Sequence, residues 1–262
     1  MNSNRLSQLF ASGKKDLLNI YFTAGYPALH DTADIAEALA SAGADIIELG
    51  MPYSDPLADG TTIQQSSELA IANGMTMELL FEQVEEIRRR TQIPLVWMGY
   101  LNPVMQYGED RFLQRCAASG IDGLIIPDLP LHEYEASFKA KAEALGLVFS
   151  FLITPQTPEF RIREIARLSS GFVYMVSSAS ITGAKAGISA SQVTYFERIE
   201  AMNLAQPKLT GFGISDKDSF QTACRYSQGA IIGSAFIKAL GEGGDAAEVA
   251  GAFVRGIRGY NM

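Results

Sequence analysis

Three acidic side chains that lie close together in the sequence could perform acid–base chemistry. Glu48 lies near the end of an apolar run, and Asp55 and Asp59 follow within twelve residues. Strand side chains alternate between two faces, so Glu48 points inward if its neighbours Ile47 and Leu49 pack outward. A partly desolvated carboxyl has a raised pKa, which suits it to transfer protons near neutral pH.

The same carboxylates have other interpretations. Together they could bind a divalent metal ion, or they could divide into a catalytic acid and a base. Glu48 could instead form an ion pair with a buried Lys or Arg. Asp55 precedes a proline and could belong to a turn, and Asp59 could cap the following helix. The residues alone leave these alternatives open.

Two glycine-containing segments near the end of the chain predict a phosphate site. Gly211-Phe212-Gly213-Ile214 and Gly233-Ser234 both belong to late apolar runs. Glycine lets backbone N–H groups approach an anion closely, and the Ser234 hydroxyl can donate a further hydrogen bond. Tight packing of strand against helix is the alternative. The loop at 177–187, rich in small residues, could be a lid over a ligand or an ordinary surface loop.

Eight short apolar runs must position these residues. They cover 17–25, 44–50, 94–100, 123–128, 147–153, 172–177, 208–214 and 229–236, and helical patterns between them include 31–42, 131–146, 189–203 and 245–260. Most runs are continuous and β-rich, as in parallel strands covered on both faces. The repetition predicts the α/β class, with a single (β/α)8 TIM barrel over residues 1–262.

The predicted barrel has three additions. A short helix at 5–12 precedes the first strand and could plug the bottom of the barrel, and the second connection has room for helices at 62–72 and 77–90. A further helical stretch follows the eighth strand. An open doubly wound sheet is the alternative, but no G-x-G-x-x-G pattern follows the first run. Barrel active sites lie at the carboxyl ends of the strands, where the acids and the glycine pairs fall.

Composition excludes several classes of protein. The 262 residues are 47% hydrophobic and 19% charged with a net charge of -8, which argues against disorder and against binding to nucleic acid or anionic membranes. Cys116 and Cys224 are too far apart for a C-x-x-C motif, and His30 and His132 are too few for a multi-histidine metal site. Residues 1–10 lack a signal-peptide core, and we therefore expect a soluble, reduced, cytoplasmic protein.

The stretch from Ile47 to Gly60, read as I-E-L-G-M-P-Y-S-D-P-L-A-D-G, resembles the signature of the tryptophan synthase alpha chain family. Segments elsewhere agree in order and spacing, so the resemblance covers essentially the whole chain. They are Phe22-Thr23-Ala24-Gly25-Tyr26-Pro27, Gly99-Tyr100-Leu101-Asn102-Pro103, Pro127-Asp128-Leu129-Pro130, Thr182-Gly183-Ala184 and the two glycine segments.

The resemblance implies a lyase of tryptophan biosynthesis that cleaves indole-3-glycerol phosphate to indole and glyceraldehyde 3-phosphate. Glu48 matches the acid that protonates the indole ring, and Asp59 matches the carboxylate that binds the indole N–H. The resemblance also implies that Tyr174 lies near Glu48 and that four other side chains line the indole pocket. These four are Tyr21, Ile63, Tyr100 and Ile125.

The remaining implied sites bind phosphate and a partner chain. The phosphate is expected to bind to backbone amides around Gly183, Gly213 and Gly233 and to the Ser234 hydroxyl. Phe212 is expected among the substrate-binding residues. Thr182 is expected to hold Asp59 when the lid closes. The family uses no cofactor in this chain and passes indole to a pyridoxal-phosphate beta chain in an αββα heterotetramer. Residues expected to face that partner are Pro52, Asp55, Pro56, Asn102 and Asp128.

The sequence departs from the family pattern at a few positions, and other functions remain in competition. Thr61 stands where proline is common, Tyr21 stands where phenylalanine is common, and Lys185 occupies a variable site. One alternative is another phosphate-binding barrel, such as a phosphosugar isomerase or a ring-closing indole synthase. The others are a non-catalytic activating subunit of the beta chain and a free-standing indole-releasing lyase.

Overall fold

A computed structural model describes residues 4–57, 59–177, 189–211 and 213–260 of the protein. Its strands are β1 (Leu17–Thr23), β2 (Ile46–Gly50), β3 (Leu95–Met98), β4 (Gly123–Ile125), β5 (Val148–Phe149), β6 (Phe151–Ile153), β7 (Val173–Val176), β8 (Lys208–Gly211) and β9 (Gly229–Ile232). Every described pair of neighbouring strands is parallel.

The sheet closes on itself as a barrel. Its strand order is β5-β4-β3-β2-β1-β9-β8-β7-β6, so β5 and β6 stand at its two ends. Only Ser150 separates these two strands in the chain, and its backbone N–H donates to Leu124 while its side chain accepts from the N–H of Phe172. The two pieces are therefore one interrupted fifth strand of a (β/α)8 barrel, as the sequence predicted.

Helices connect successive strands. They are α1 (Arg5–Ala11), α2 (Thr32–Ala42), α3 (Thr61–Ala72), α4 (Met77–Arg90), α5 (Leu101–Tyr107), α6 (Glu109–Ser119), α7 (Leu131–Glu133), α8 (Lys139–Ala144), α9 (Glu159–Leu168), α10 (Ala190–Ala201), α11 (Lys217–Cys224), α12 (Ser234–Gly241) and α13 (Ala246–Arg258), with a π-helical segment at Tyr134–Phe138. The predicted N-terminal helix and the extra helices of the second and eighth connections are all present.

Alternation along the strands separates an inner core from an outer one. On β2, Ile46 belongs to the inner cluster with Tyr21 of β1, whereas Ile47 and Leu49 belong to the outer cluster beneath the helices. The inner cluster also contains Leu6, so α1 contributes to the barrel interior as predicted. This separation makes Glu48 an inward residue, because it shares a face with Ile46.

Two details of the helices go beyond the sequence prediction. The run at 94–100 is followed at once by α5, which contains Pro103 in its first turn. Proline is tolerated there, because its missing N–H has no partner to lose. The apolar run at 229–236 contains both a strand end and a helix start, since β9 ends at Ile232 and α12 begins at Ser234. This early helix start brings the α12 N-terminus to the barrel mouth.

A buried charge cluster holds α1 against the opposite, amino-terminal end of the strands. Asp122 is only 2% exposed and accepts from the Arg5 guanidinium at 3.1 Å, from that of Arg88 at 2.6 Å and from the N–H of Leu95 at 2.9 Å. Arg88 also donates to the backbone carbonyl of Gly120 at 2.7 Å. The cluster therefore ties α1, α4 and the start of β3 together.

Asp122→Asn removes the countercharge of a largely buried guanidinium, so we expect it to lower the free energy of unfolding by about 3–5 kcal/mol. Urea unfolding followed by circular dichroism measures this. Asp110→Asn is the matched control, because Asp110 pairs with Lys141 on the surface and its loss should leave stability nearly unchanged. Equal effects of the two substitutions would contradict this account.

Candidate active site

Glu48 is a buried carboxyl inside the carboxyl-terminal half of the barrel. It is 1% exposed, and its backbone lies level with Tyr21 in the β1–β2 ladder. The Asn19 side-chain amide donates to Glu48 Oε2 at 2.9 Å. Burial raises the pKa of the Glu48 carboxyl to about 8, against a smaller opposing effect of the Asn19 hydrogen bond. At neutral pH Glu48 is therefore mostly protonated.

Among the residues that the structure describes, the hydrogen-bond partner of Glu48 is the neutral amide of Asn19 and not the Lys or Arg of the ion-pair alternative. The sequence analysis overlooked Asn19, although a signal was present. Alternate side chains of β1 point to the same face of the sheet, and on one face these are Leu17, Asn19 and Tyr21. Leu17 and Tyr21 both belong to the inner cluster. Asn19 is thus a polar residue at an inward position of a buried strand, fully buried one step below the site.

Asp59 reaches the same region from the loop that follows β2. Its Oδ2 accepts a hydrogen bond from the Tyr100 hydroxyl at 3.0 Å, and its backbone carbonyl accepts from the Gln64 amide at 2.9 Å. Burial raises the pKa of Asp59, partly offset by the Tyr100 hydrogen bond. Asp59 does not cap α3 with its side chain, since Gly60 is the N-cap and Thr61 is the first helical residue.

Two inward tyrosines form the walls next to the carboxyls. Burial raises the pKa of both Tyr21 and Tyr174, and the neighbouring charges of Glu48 and Asp59 raise it further. A Cβ atom on Gly50 would lie 2.2 Å from the Tyr21 hydroxyl, and a Cβ on Gly211 would lie 2.4 Å from the Tyr174 hydroxyl. Each tyrosine therefore needs a glycine at the end of the adjacent strand.

The remaining predicted pocket residues lie around this centre. Ile125 is buried in the inner cluster and Ile63 packs against it, while the Tyr100 ring lies 5.2 Å from that of Tyr53. A small cavity opens beside them, lined by Tyr21, Met51, Asp59, Met98, Gly99, Tyr100 and Pro127. A cavity lined by two tyrosine rings, two methionines and one carboxylate suits a flat ligand that carries an N–H donor.

The predicted phosphate residues lie across the barrel mouth, on the neighbouring strands β8 and β9. Gly213 has a positive φ of 75°, and Gly233 is the N-cap of α12, which has no side-chain cap. Ser234 opens that helix, so its first N–H groups are available to an anion. A Cβ on Gly233 would lie 3.2 Å from the Tyr21 ring, which places this N-terminus next to the pocket. Thr182, Gly183 and Phe212 lie outside the described residues.

The residues expected to face a partner lie at the outer rim of the same end, with one exception. Asp55 is exposed, Pro56 is half-buried, and the Asn102 amide donates to the Tyr53 hydroxyl at 3.1 Å. Asp128 accepts from the N–H of Leu101 at 2.9 Å and so holds the start of α5. Pro52, by contrast, is buried within this chain.

Two further features bear on the kind of site. Within the described ranges, no group of three or more His, Cys, Asp or Glu could hold a metal ion, so the metal interpretation of the three acids has no support there. The same ranges contain no helix that is long and apolar enough to cross a membrane.

Comparison with known proteins agrees across the chain. The family model of the tryptophan synthase alpha chain matches residues 6–255. The alpha chain of Flavobacterium johnsoniae is 55% identical over 92% of this chain and 95% of its own length. That of Bacteroides fragilis is 50% identical over 91% of each chain.

Solved structures agree with the sequence relatives. A chain of tryptophan synthase from M. tuberculosis, in its aminoacrylate-bound form, aligns with a TM-score of 0.85 at 31% identity over 97% of this chain and 98% of its own. A chain of the tryptophan synthase complex from Pyrococcus furiosus aligns with a TM-score of 0.86 at 34% identity, covering 94% and 99%. Sequence and fold together establish that this chain belongs to the tryptophan synthase alpha chain family.

Proposed function

We propose that Glu48 and Asp59 carry out the carbon–carbon bond cleavage that this family performs. As a member of the family, the protein is a lyase of tryptophan biosynthesis that cleaves indole-3-glycerol phosphate. The observation that carries the assignment is a neutral, buried carboxyl at the barrel mouth, beside an aromatic pocket that holds a second carboxyl.

Glu48 supplies the proton that makes indole a leaving group. Its carboxylic acid protonates C3 of the indole ring, which leaves positive charge at the ring nitrogen. A base then takes the proton of the glycerol hydroxyl next to the ring. The bond between C3 and that carbon breaks, its electron pair returns to the indole, and the hydroxyl carbon becomes the aldehyde. A carboxyl with a pKa of about 8 is well matched to give up a proton and regain it near neutral pH.

Asp59 stabilises the charge that develops on the indole. A carboxylate hydrogen-bonded to the indole N–H favours the protonated ring over the neutral one. The Tyr100 hydroxyl supports the ionised form of Asp59 by donating to it. Tyr21, Ile63, Ile125 and Tyr174 complete the indole pocket in this proposal.

The phosphate binds at the opposite side of the mouth. The uncapped N-terminus of α12, with Gly233 and Ser234, supplies N–H groups, and Gly213 allows close approach on the neighbouring segment. Gly183 and Phe212 are assigned to the same ligand, and Thr182 to the lid that holds Asp59, on the family pattern alone. Local amides thus bind an anion in a protein whose net charge is -8.

The alpha chain needs no cofactor of its own, since pyridoxal phosphate belongs to the beta chain of the synthase. Structural neighbours of this chain come from tryptophan synthase complexes, consistent with a beta-chain partner. We further propose an αββα tetramer that receives indole from this chain, an interface that includes Asp55, Pro56, Asn102 and Asp128, and activity in the cytoplasm. Residues 1–262 would form one barrel domain, because all described strands belong to one sheet.

Glu48→Gln and Asp59→Asn should each lower indole release from indole-3-glycerol phosphate by at least about a hundredfold, because each removes a charge or proton used in the transition state. Release is measured with the purified chain, with and without the beta chain.

Asp55→Asn is the matched control for this experiment, since Asp55 lies in the same loop but is exposed at the rim. It should keep the wild-type rate without the partner and lose part of the stimulation by the partner. Full activity of both catalytic variants would overturn the assignment. A folded wild-type chain that releases no indole but binds the beta chain would favour the non-catalytic activating subunit.

The neutral state of Glu48 also predicts how stability depends on pH. Its pKa is about 8 in the folded protein against an ordinary 4.5, so the folded state binds this proton more tightly than the unfolded state does. The resulting stability is fully present below pH 4.5 and is lost as the pH rises to about 8.

Glu48→Gln removes this titration while keeping the shape of the side chain. The variant should gain stability over wild type progressively between pH 5 and 8, by about a few kcal/mol in total, and no further above that range. Urea unfolding of both proteins at several pH values measures the difference. A difference that is constant across this range would show that Glu48 is ionised throughout.

A further inference from the structure

The hydrogen-bond geometry inside the barrel points to an additional role for a residue outside the family signature. We propose that Asn19 is a positioning residue that holds the Oε2 atom of Glu48 in both protonation states of the carboxyl and leaves Oε1 to face the substrate. The inference rests on the proposed function, because it takes Glu48 as the group that exchanges protons with substrate.

The contact is isolated and buried. Asn19 is 0% exposed, and its Nδ2 lies 2.9 Å from Glu48 Oε2. Within residues 4–57, 59–177, 189–211 and 213–260, Asn19 is the group that donates a hydrogen bond to this carboxyl. The β1–β2 ladder fixes the pair, since Asn19 lies opposite Ile46 and the next inward pair is Tyr21 and Glu48. Asn19 therefore contacts Glu48 from the side of the barrel floor.

This placement selects one oxygen of the carboxyl. The candidate pocket is lined by Tyr21 and by residues at and beyond the carboxyl ends of β2, β3 and β4, whereas Asn19 lies one inward position below Tyr21 on β1. An oxygen held from below cannot swing toward the substrate without breaking a buried hydrogen bond. The other oxygen is then the one left for the substrate, and the rotational freedom of a buried glutamate is reduced.

An amide also suits a carboxyl that must change its charge. A Lys or Arg in this place would pair with the carboxylate and lower its pKa, which would abolish the acid. Asn presents a donor and an acceptor. Its Nδ2 can donate to Oε2 in both forms of the carboxyl, so in the neutral form the O–H lies on Oε1, the oxygen left to face the substrate.

A second observation concerns the other end of the amide. Among the described residues, Asn19 Oδ1 is a buried atom without a hydrogen-bond partner. An unpaired buried acceptor is costly, and the amide keeps this orientation while its Nδ2 contacts Glu48. The contact with Glu48 is therefore the interaction that fixes the amide.

The test measures the protonation of Glu48 directly. The protein is labelled with 13C at the side-chain carboxyl of glutamate, Glu48→Gln assigns the Glu48 signal, and the signal is titrated by NMR in wild type, Asn19→Leu and Asn19→Asp. Loss of the donor should raise the pKa of Glu48 by about one unit in Asn19→Leu. Asn19→Asp should raise it further, because it adds a like charge at nearly the same size.

Kinetics provide the second readout. In the Asn19 variants, the limb of the pH–rate profile that reports Glu48 should move to higher pH by the same amount as the pKa measured by NMR. The kcat should fall by about tenfold while KM changes little. Ile20→Val is the matched control: it shortens the next residue of β1, which packs in the outer core, and should leave both the titration and the profile in place.

The outcomes separate this inference from the proposed function. If Glu48 titrates in both Asn19 variants as in wild type, Asn19 does not position it and the inference fails, whatever the activity. If the titration shifts but Glu48→Gln remains fully active, the proposed catalytic role fails while the contact stands. Asn19→Asp preserves side-chain size, so it keeps the test informative if Asn19→Leu does not fold.

Discussion

The structure depends on one constraint, which is that a carboxyl must remain neutral inside an apolar barrel. Desolvation of Glu48 provides the proton for chemistry and at the same time costs stability at neutral pH. Its surroundings limit that cost without abolishing it, because in the described part of the chain its partner is a neutral amide and tyrosines are its titratable neighbours. The cluster around Asp122 described above, and the buried ion pair of Asp45 with Arg258, lie at the opposite end of the barrel, where ionic pairing does not affect the site.

Much of this arrangement could be predicted from the sequence, because parallel strands impose a strict alternation. The inward direction of Glu48 follows from the apolar residues on either side of it, and the structure confirms the eight strand–helix repeats. The positions of the late glycines near the carboxyl ends of β8 and β9 follow from the same repeats. Local patterns suffice here because each feature depends on its immediate neighbours in the chain.

Features that depend on contacts between distant residues could not be predicted in this way. The hydrogen bond between Asn19 and Glu48 joins residues 29 positions apart, and the contact of Asp59 with Tyr100 joins residues 41 apart. Burial of Pro52 depends on how its loop folds back, which the motif does not encode.

The close packing of Tyr21 against two glycines has a consequence for how this chain can evolve. Its hydroxyl occupies the space a side chain on Gly50 would need, and its ring lies against Gly233. The ends of β1 and β2 and the N-cap of α12 thus meet around one side chain. A larger residue at Gly50 requires a smaller residue at position 21, and one at Gly233 requires the Tyr21 ring to shift, so the three sites are expected to co-vary among relatives. Adaptation of the pocket to a differently shaped ligand would therefore require paired substitutions at Tyr21 and one of the glycines, because a single substitution at these positions disturbs the packing.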